Sequence, residues 1–248
     1  VNDLSEPALA WDDALNLLAN GELAVRGLLP GSSNYTFLAE VQNDRLQSLA
    51  IYKPRQGETP LWDFPHGTLC QRELAAYLIS QALGWGLVPP TAIRLGPYGQ
   101  GAVQLFIAAD FSQHYFTFRD EPALQFVLRR IAAFDLLINN ADRKAGHTLR
   151  DEHDRVWAID HGICFHVQPK LRTVIWEFAG ETLSAPLVAD LAGLRAQLER
   201  GCELHAQLAD LLSEAELAAL AGRVEQLLEA GVFPNPDPHR RPYPWPLV

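Results

Sequence analysis

Apolar positions change period along the chain. Residues 7–20 place Leu9, Trp11, Ala14, Leu15, Leu18 and Ala19 on one helical stripe, with Gly21 as a stop, so an opening helix is expected. Three strand-like runs follow, 22–29, 35–41 and 47–52, separated by Pro30-Gly31-Ser32-Ser33-Asn34 and by Asn43-Asp44-Arg45, which predicts an antiparallel meander. Residues 69–83 return to a helical period, closed by Gly84 and Gly86, and 91–95 and 102–107 read as two further strands. Ala108-Ala109-Asp110 reads as a connector.

Beyond Glu121 the pattern is mostly helical. A long apolar helix is expected over 123–139, and further helices over 171–178, 186–199, 202–212 and 213–230. The last carries a capping box, Ser213 with Glu216, and Gly231 just past its end. A short hairpin interrupts the series, with 147–151 paired to 155–159 across Glu152-His153-Asp154. The Pro-rich tail, 234–248, predicts an extended strap. The fold class expected is α+β in two lobes around a cleft: a β-rich lobe over 1–110 with one inserted helix, and a mainly α-helical lobe over 111–248.

Composition narrows the function classes. No apolar run reaches membrane-spanning length, and the first residues lack the basic-then-apolar pattern of a signal peptide, so a cytoplasmic protein without integral membrane association is expected. Cys70, Cys164 and Cys202 show no paired metal-ligand spacing and fit a reducing compartment. The net charge of −10 argues against a nucleic-acid footprint. Of the 20 Lys and Arg, all but Lys53, Lys144 and Lys170 are Arg, which draws notice to the lysines as compact point charges.

Two of them fall beside candidate chemistry. Lys53 ends the apolar strand Leu49-Ala50-Ile51-Tyr52, and Glu73 is the one acid in the helix that follows, on the face of Leu69, Ala76 and Leu83. An acid on an apolar face needs a partner, and Lys53 is the candidate. Asp142 follows the long helix in Asn139-Asn140-Ala141-Asp142-Arg143-Lys144-Ala145-Gly146-His147, and Asp160 follows the hairpin in Ile159-Asp160-His161-Gly162. The hairpin sets these loops side by side, so one carboxylate can orient an attacking hydroxyl while the other holds a cation on nucleotide phosphates. The turn Gly31-Ser32-Ser33-Asn34 can offer backbone N–H groups to a phosphate, or serve as a plain hairpin turn. Taken singly, an Asp-Arg loop reads as a solvated ion pair and D-x-G as turn chemistry; the order of the parts carries the reading.

Asp142-Arg143-Lys144-Ala145-Gly146-His147 with Ile159-Asp160-His161-Gly162 resembles the D-R-H-x-x-N and I-D-F-G motifs of the phosphatidylinositol 3- and 4-kinases and of HipA-type and other atypical kinases, and most resembles a group of bacterial kinase-like proteins with N-A-D-R-K-x-G-H and I-D-H-G. Gln104-Leu105-Phe106-Ile107 is similar to the hinge strand of type II phosphatidylinositol 4-kinases. The resemblance spans about residues 22–180. It implies a protein-kinase-like fold and an ATP-dependent kinase using Mg²⁺ or Mn²⁺, with Asp142 as catalytic aspartate, Lys53 on the phosphates and Glu73 as its ion-pair partner. It further implies Asp160 and His147 as metal ligands, Lys144 beside the phosphates, Ser32, Ser33 and Asn34 over them, and Phe106, Ile107 and Ala109 around the adenine.

Two positions depart from the motif: His147 replaces an Asn and His161 a Phe. Imidazole suits Mn²⁺ better than Mg²⁺. The partners implied are a nucleotide and a hydroxyl-bearing substrate, either protein, small molecule or lipid. A nucleotide-binding pseudokinase acting as an interaction module remains open, as does a transition-metal site built from His147, His161 and His166 with the two aspartates.

Overall fold

In the computed structural model, residues 9–30 and 34–248 are described. The opening helix, α1 (Trp11–Asn20), leads into β1 (Glu22–Leu28), β2 (Phe37–Gln42) and β3 (Gln47–Pro54). Helix α2 (Leu69–Ala82) separates these from β4 (Thr91–Gly96) and β5 (Gly99–Leu105). The five strands form one antiparallel sheet in the order β1-β2-β3-β5-β4. The predicted meander is present, with the inserted helix where its period placed it. Gly31, Ser32 and Ser33, most of the proposed phosphate turn, lie outside the described residues.

Alternation gives the sheet two different faces. Ala39, Val41, Ala50, Tyr52 and Val103 pack with Leu17 and Leu18 of α1 in one apolar cluster. Their neighbours Leu38, Ile51 and Lys53 turn the other way and line a cleft. A one-residue slip in β3 would exchange Lys53 for Tyr52 in that cleft, so the packing of α1 fixes which side chain the site receives.

The C-terminal part is mainly helical: α3 (Tyr115–Phe118), α4 (Gln125–Ile138), α5 (Ala185–Gln197), α6 (Glu203–Ala209) and α7 (Glu214–Ala230), with a small hairpin of β6 (Thr148–Arg150) and β7 (Val156–Ala158). Helix α2 shares its core with these helices: Ala75, Ala76, Tyr77 and Ile79 lie in one buried cluster with Phe134, Leu191, Leu208 and Leu220. The capping box of α7 forms as the sequence predicts, with Ser213 and Glu216 bonded reciprocally and Gly231 at φ 63° closing the helix.

The helix expected over 171–178 is absent. That segment is irregular because other carbonyls take its backbone donors: Arg172 N–H donates to Asn140 O, Thr173 N–H to Pro242 O and Val174 N–H to Arg143 O. Its run of Thr173, Val174 and Ile175, branched at Cβ, suits this extended path better than a helix. The tail is a strap, as its prolines suggest. Arg240 donates to Pro169 O at 2.6 Å, Pro242 O accepts from Thr173 N–H and Trp176 Nε1, and Leu247 O accepts from Ala145 N–H at 2.8 Å.

Candidate active site

Lys53 Nζ donates to Glu73 Oε1 at 2.5 Å and to Asp160 Oδ1 at 2.9 Å. The partner expected for Glu73 is therefore the one it has. Its other oxygen, Oε2, accepts from the backbone N–H of His161 at 3.0 Å, so Glu73 ties β3 to the loop after β7. Burial opposes the charge on Lys53, but Asp160 and Glu73 outweigh it and raise its pKa above the ordinary lysine value. Lys53 in turn holds the Asp160 carboxyl well below the usual carboxylate range, against the effect of burial. Asp160 sits at φ 61°, a left-handed conformation that Asp tolerates better than bulky residues do. The neighbouring bonds to Glu73 and Lys53 hold it there.

His147 approaches the same carboxylate from the opposite side, with Nε2 3.3 Å from Asp160 Oδ2. Its Nδ1 lies 3.0 Å from the backbone carbonyl of Asp142. A carbonyl only accepts, so Nδ1 carries the proton and the Nε2 lone pair faces the carboxylate. Burial pushes the His147 pKa down to about 4, keeping the ring neutral. Asp142 Oδ2 pairs with Lys144 Nζ at 2.9 Å. Burial nevertheless raises the Asp142 pKa, the lowering by Lys144 being the smaller effect.

A cleft of about 540 Å³ joins these groups, its walls including Leu38, Ile51, Leu105, Phe106, Ile107 and Leu149 as well as Lys53, Glu73, Asp142, Lys144, His147 and Asp160. That volume and mixed lining are those of a small-molecule site. Asn34 also lines it and braces the loop before α2, its Oδ1 accepting from Thr59 N–H at 2.7 Å. Ala109 differs from expectation. It bridges Asp151 and lines a neighbouring hollow of about 670 Å³, because the chain turns toward the β6–β7 hairpin after Ile107. That hollow lacks Lys53, Asp142 and Asp160, so it is not where the chemistry converges.

Arg143 is not the solvated ion pair that an Asp-Arg loop suggests. Fully buried, it donates through Nε to both oxygens of Asp135 at 3.1 and 3.0 Å, and through one terminal nitrogen to the carbonyls of His147 and Ile159, each at 2.9 Å. Its other terminal nitrogen lies 2.7 Å from His161 Nε2, which must therefore accept. One guanidinium thus fastens the Asp142 loop to α4 and to both ends of the hairpin. Asn139 and Asn140 extend the bracing: Asn139 Nδ2 donates to His166 O and Gln168 O, and Asn140 Nδ2 donates to Asp135 Oδ1. Asp135 lies within α4, whereas Arg143 lies beyond the helix end, so helical spacing does not reveal the pair.

His161 is buried edge-on against Phe134, with ring centroids 5.6 Å apart, in a place where an aromatic ring fits. Since Nε2 accepts from Arg143 and His166 Nδ1 is engaged with the Gln168 backbone, neither ring turns toward Asp160 as a ligand. Among the described residues no group of three or more His, Cys, Asp or Glu side chains could hold a metal ion on its own, which disfavours the transition-metal reading.

Burial holds the His161 pKa well below the ordinary imidazole value, as it does that of His147. An unfolded chain takes up protons on these rings below about pH 6.5, whereas the folded protein does not until far lower, so stability must fall as pH falls through that window. The expected slope is up to ~1.4 kcal/mol per pH unit for each ring. Urea denaturation of metal-free protein at pH values across the window measures it, and His147→Asn should remove about half of the contribution of the pair.

No family model matches the chain. Solved structures that share its fold include the Golgi casein kinase with Mn and ADP bound, 15% identical with a TM-score of 0.55 over 93% of this chain and 80% of that one. Hydra Fam20 with sugar is 13% identical, TM-score 0.52, over 91% and 89%. The Helicobacter pylori proinflammatory kinase CtkA is 13% identical, TM-score 0.50, over 87% and 94%. These likenesses show an α+β, kinase-like fold. In sequence the chain is 43% identical to protein Rv2133c of Mycobacterium tuberculosis across 95% of each chain. With 43% identity along nearly its whole length, the chain, whose five-stranded antiparallel sheet precedes a mainly helical part, belongs to the family of Mycobacterium tuberculosis protein Rv2133c.

Proposed function

We propose that this protein is an ATP-dependent phosphotransferase of the phosphatidylinositol 3-/4-kinase-like group of atypical kinases, moving the γ-phosphoryl group to a hydroxyl of a protein, small molecule or lipid. The observation that carries the reading is the Glu73–Lys53–Asp160 ion-pair chain facing Asp142 in one cleft. Leu38, Ile51 and Ile107 offer an apolar slot for the adenine. Lys53, fixed by Glu73, brings a positive charge to the phosphates, and Lys144 brings a second beside Asp142. Asp142 orients the acceptor hydroxyl and takes its proton as the new O–P bond forms and the bond between the β- and γ-phosphates breaks, leaving ADP.

Asp160 Oδ2 and the unprotonated Nε2 of His147 are two lone-pair donors side by side, a fit for a divalent cation completed by nucleotide oxygens. When bound, such a cation supplies Lewis-acid stabilisation of phosphate charge. An imidazole ligand favours Mn²⁺ over Mg²⁺, and the Golgi casein kinase, which shares the fold, was solved with Mn and ADP. Lys170, a cation near the acceptor side, is already paired with Asp63 at 2.6 Å, and the chain is acidic overall. This favours a protein or small-molecule hydroxyl over an anionic lipid head group. Among the described residues no helix is long and apolar enough to cross a membrane.

Purified protein incubated with γ-labelled ATP and either cation tests the proposal: transfer, or autophosphorylation, is expected with Mn²⁺. His147→Asn is expected to shift the preference toward Mg²⁺, read from initial rates in each metal. The second reading, a nucleotide-binding pseudokinase, draws on His147 and on the Lys144–Asp142 pair, which occupies the proposed base. Nucleotide binding without turnover under either cation would favour it, and no thermal shift with any nucleotide would sink both.

A further inference from the structure

We propose that Arg72 and Glu216 form a positioning pair that locks α2 against the C-terminal helices, so that Glu73 stands at Lys53 permanently and needs no activating event to bring it there. Arg72 and Glu73 are adjacent on α2 and project about 100° apart, so one helix addresses two partners at once. Glu73 reaches Lys53. Arg72 points into the C-terminal part, donating through one terminal nitrogen to Cys164 O at 2.6 Å and through the other to Glu216 Oε1 at 2.5 Å.

Both members are buried, Arg72 at 1% and Glu216 at 7% exposure, and the guanidinium lies over the Phe64 ring, 4.9 Å from its centroid. Cys164 belongs to the segment that follows Asp160, four residues on, so Arg72 grips the site's own loop as well as α7. Glu216 is itself immobilised, because Oε2 accepts from Ser213 N–H and Oγ in the capping box, leaving Oε1 for Arg72. A helix cap thereby becomes an anchor for a second helix. Helix α2 also runs against β4 and β5, but its Ala75, Ala76 and Ile79 are buried in one cluster with the C-terminal helices, and among the described residues none of α2 belongs to the apolar cluster between α1 and the sheet. A swing of α2 away from Lys53 would have to break a buried ion pair and open that core together, and breaking a buried pair strands an uncompensated charge.

The phosphotransferase reading enters only through the activity that this lock would support, so the decisive measurement does not use activity. Lys53, Lys144 and Lys170 are the lysines of the chain, so acylation by an amine-reactive ester can be followed at each by mass spectrometry. Held by Glu73 and Asp160, Lys53 is protonated and slow to react; a displaced α2 frees it. Glu216→Gln is the principal variant, since a Gln at this position still serves the capping box while the charge of the pair is lost. Arg72→Met is the second, leaving the cap intact.

In folded variants, checked by circular dichroism, labelling of Lys53 is expected to rise about tenfold, the equivalent of a local opening made ~1.4 kcal/mol easier, with Lys144 and Lys170 unchanged. Unchanged Lys53 labelling in both variants overturns the proposal, as does a parallel rise at all three lysines, which would mean that the pair only stabilises the fold. Should the parent protein transfer no phosphate, the phosphotransferase reading fails while the Lys53 result still decides the lock.

Discussion

Asp142→Asn is expected to leave nucleotide binding intact and to slow phosphate transfer by a factor on the order of 10²–10⁴, the range that a positioned general base contributes. Asparagine is nearly isosteric and keeps the backbone link from Asp142 N–H to Asn140 Oδ1, so the loop should hold its shape. The amide cannot accept a proton, and it leaves Lys144 without its carboxylate. Nucleotide affinity by calorimetry and turnover by labelled ATP separate the two effects. A loss confined to affinity, with turnover at saturation unchanged, would remove Asp142 from the chemistry. Lys53→Met should behave in the opposite way in part, since Lys53 faces the phosphates: affinity and turnover should fall together.

The largest effect on stability is expected at Arg143. Its pair with Asp135 is fully buried, with no exposed surface on either side chain, and it satisfies two carbonyls and His161 besides. Arg143→Met strands the Asp135 carboxylate, and removing one member of a buried pair costs about 3–5 kcal/mol. Against a total stability of about 5–15 kcal/mol, that brings the chain close to unfolding at room temperature. Urea denaturation measures it. Arg143→Met combined with Asp135→Leu should recover part of the loss, because the stranded charge is gone. If the double variant were no more stable than Arg143→Met, the pair would not be the source of the cost.

Much of this arrangement was legible before the structure, for physical reasons that can be named. Lys53 ends an apolar strand and Glu73 is the one acid on an apolar face of α2, so each needed a partner, and the two pair at 2.5 Å. The loop carrying Asp142 follows the long helix α4, and the hairpin that leads on to Asp160 is short enough to fix their spacing. The site's bracing was not legible. Arg143 serves Asp135, His147, Ile159 and His161, contacts that depend on how α4 meets the hairpin, and a dipeptide cannot display that. The segment 171–178 failed for the same reason: its helical period was real, but donors from 172, 173 and 174 pair with Asn140, Pro242 and Arg143, two of them in the site loop and one in the strap. The role of Arg72 was hidden for want of its partner, 144 residues away.

The strap bears on when the site comes into being. Chains begin to fold from their first residues while synthesis continues. Here the sheet, α2, the hairpin and both aspartates emerge well before Leu247, whose carbonyl receives Ala145 N–H, and before Pro242, whose carbonyl receives Thr173 N–H. Until those residues arrive, the Asp142 loop rests on the bracing by Arg143, Asn139 and Asn140. Removing residues 242–248 would leave the apolar core intact and take these two acceptors away from the site loop and the segment beside it.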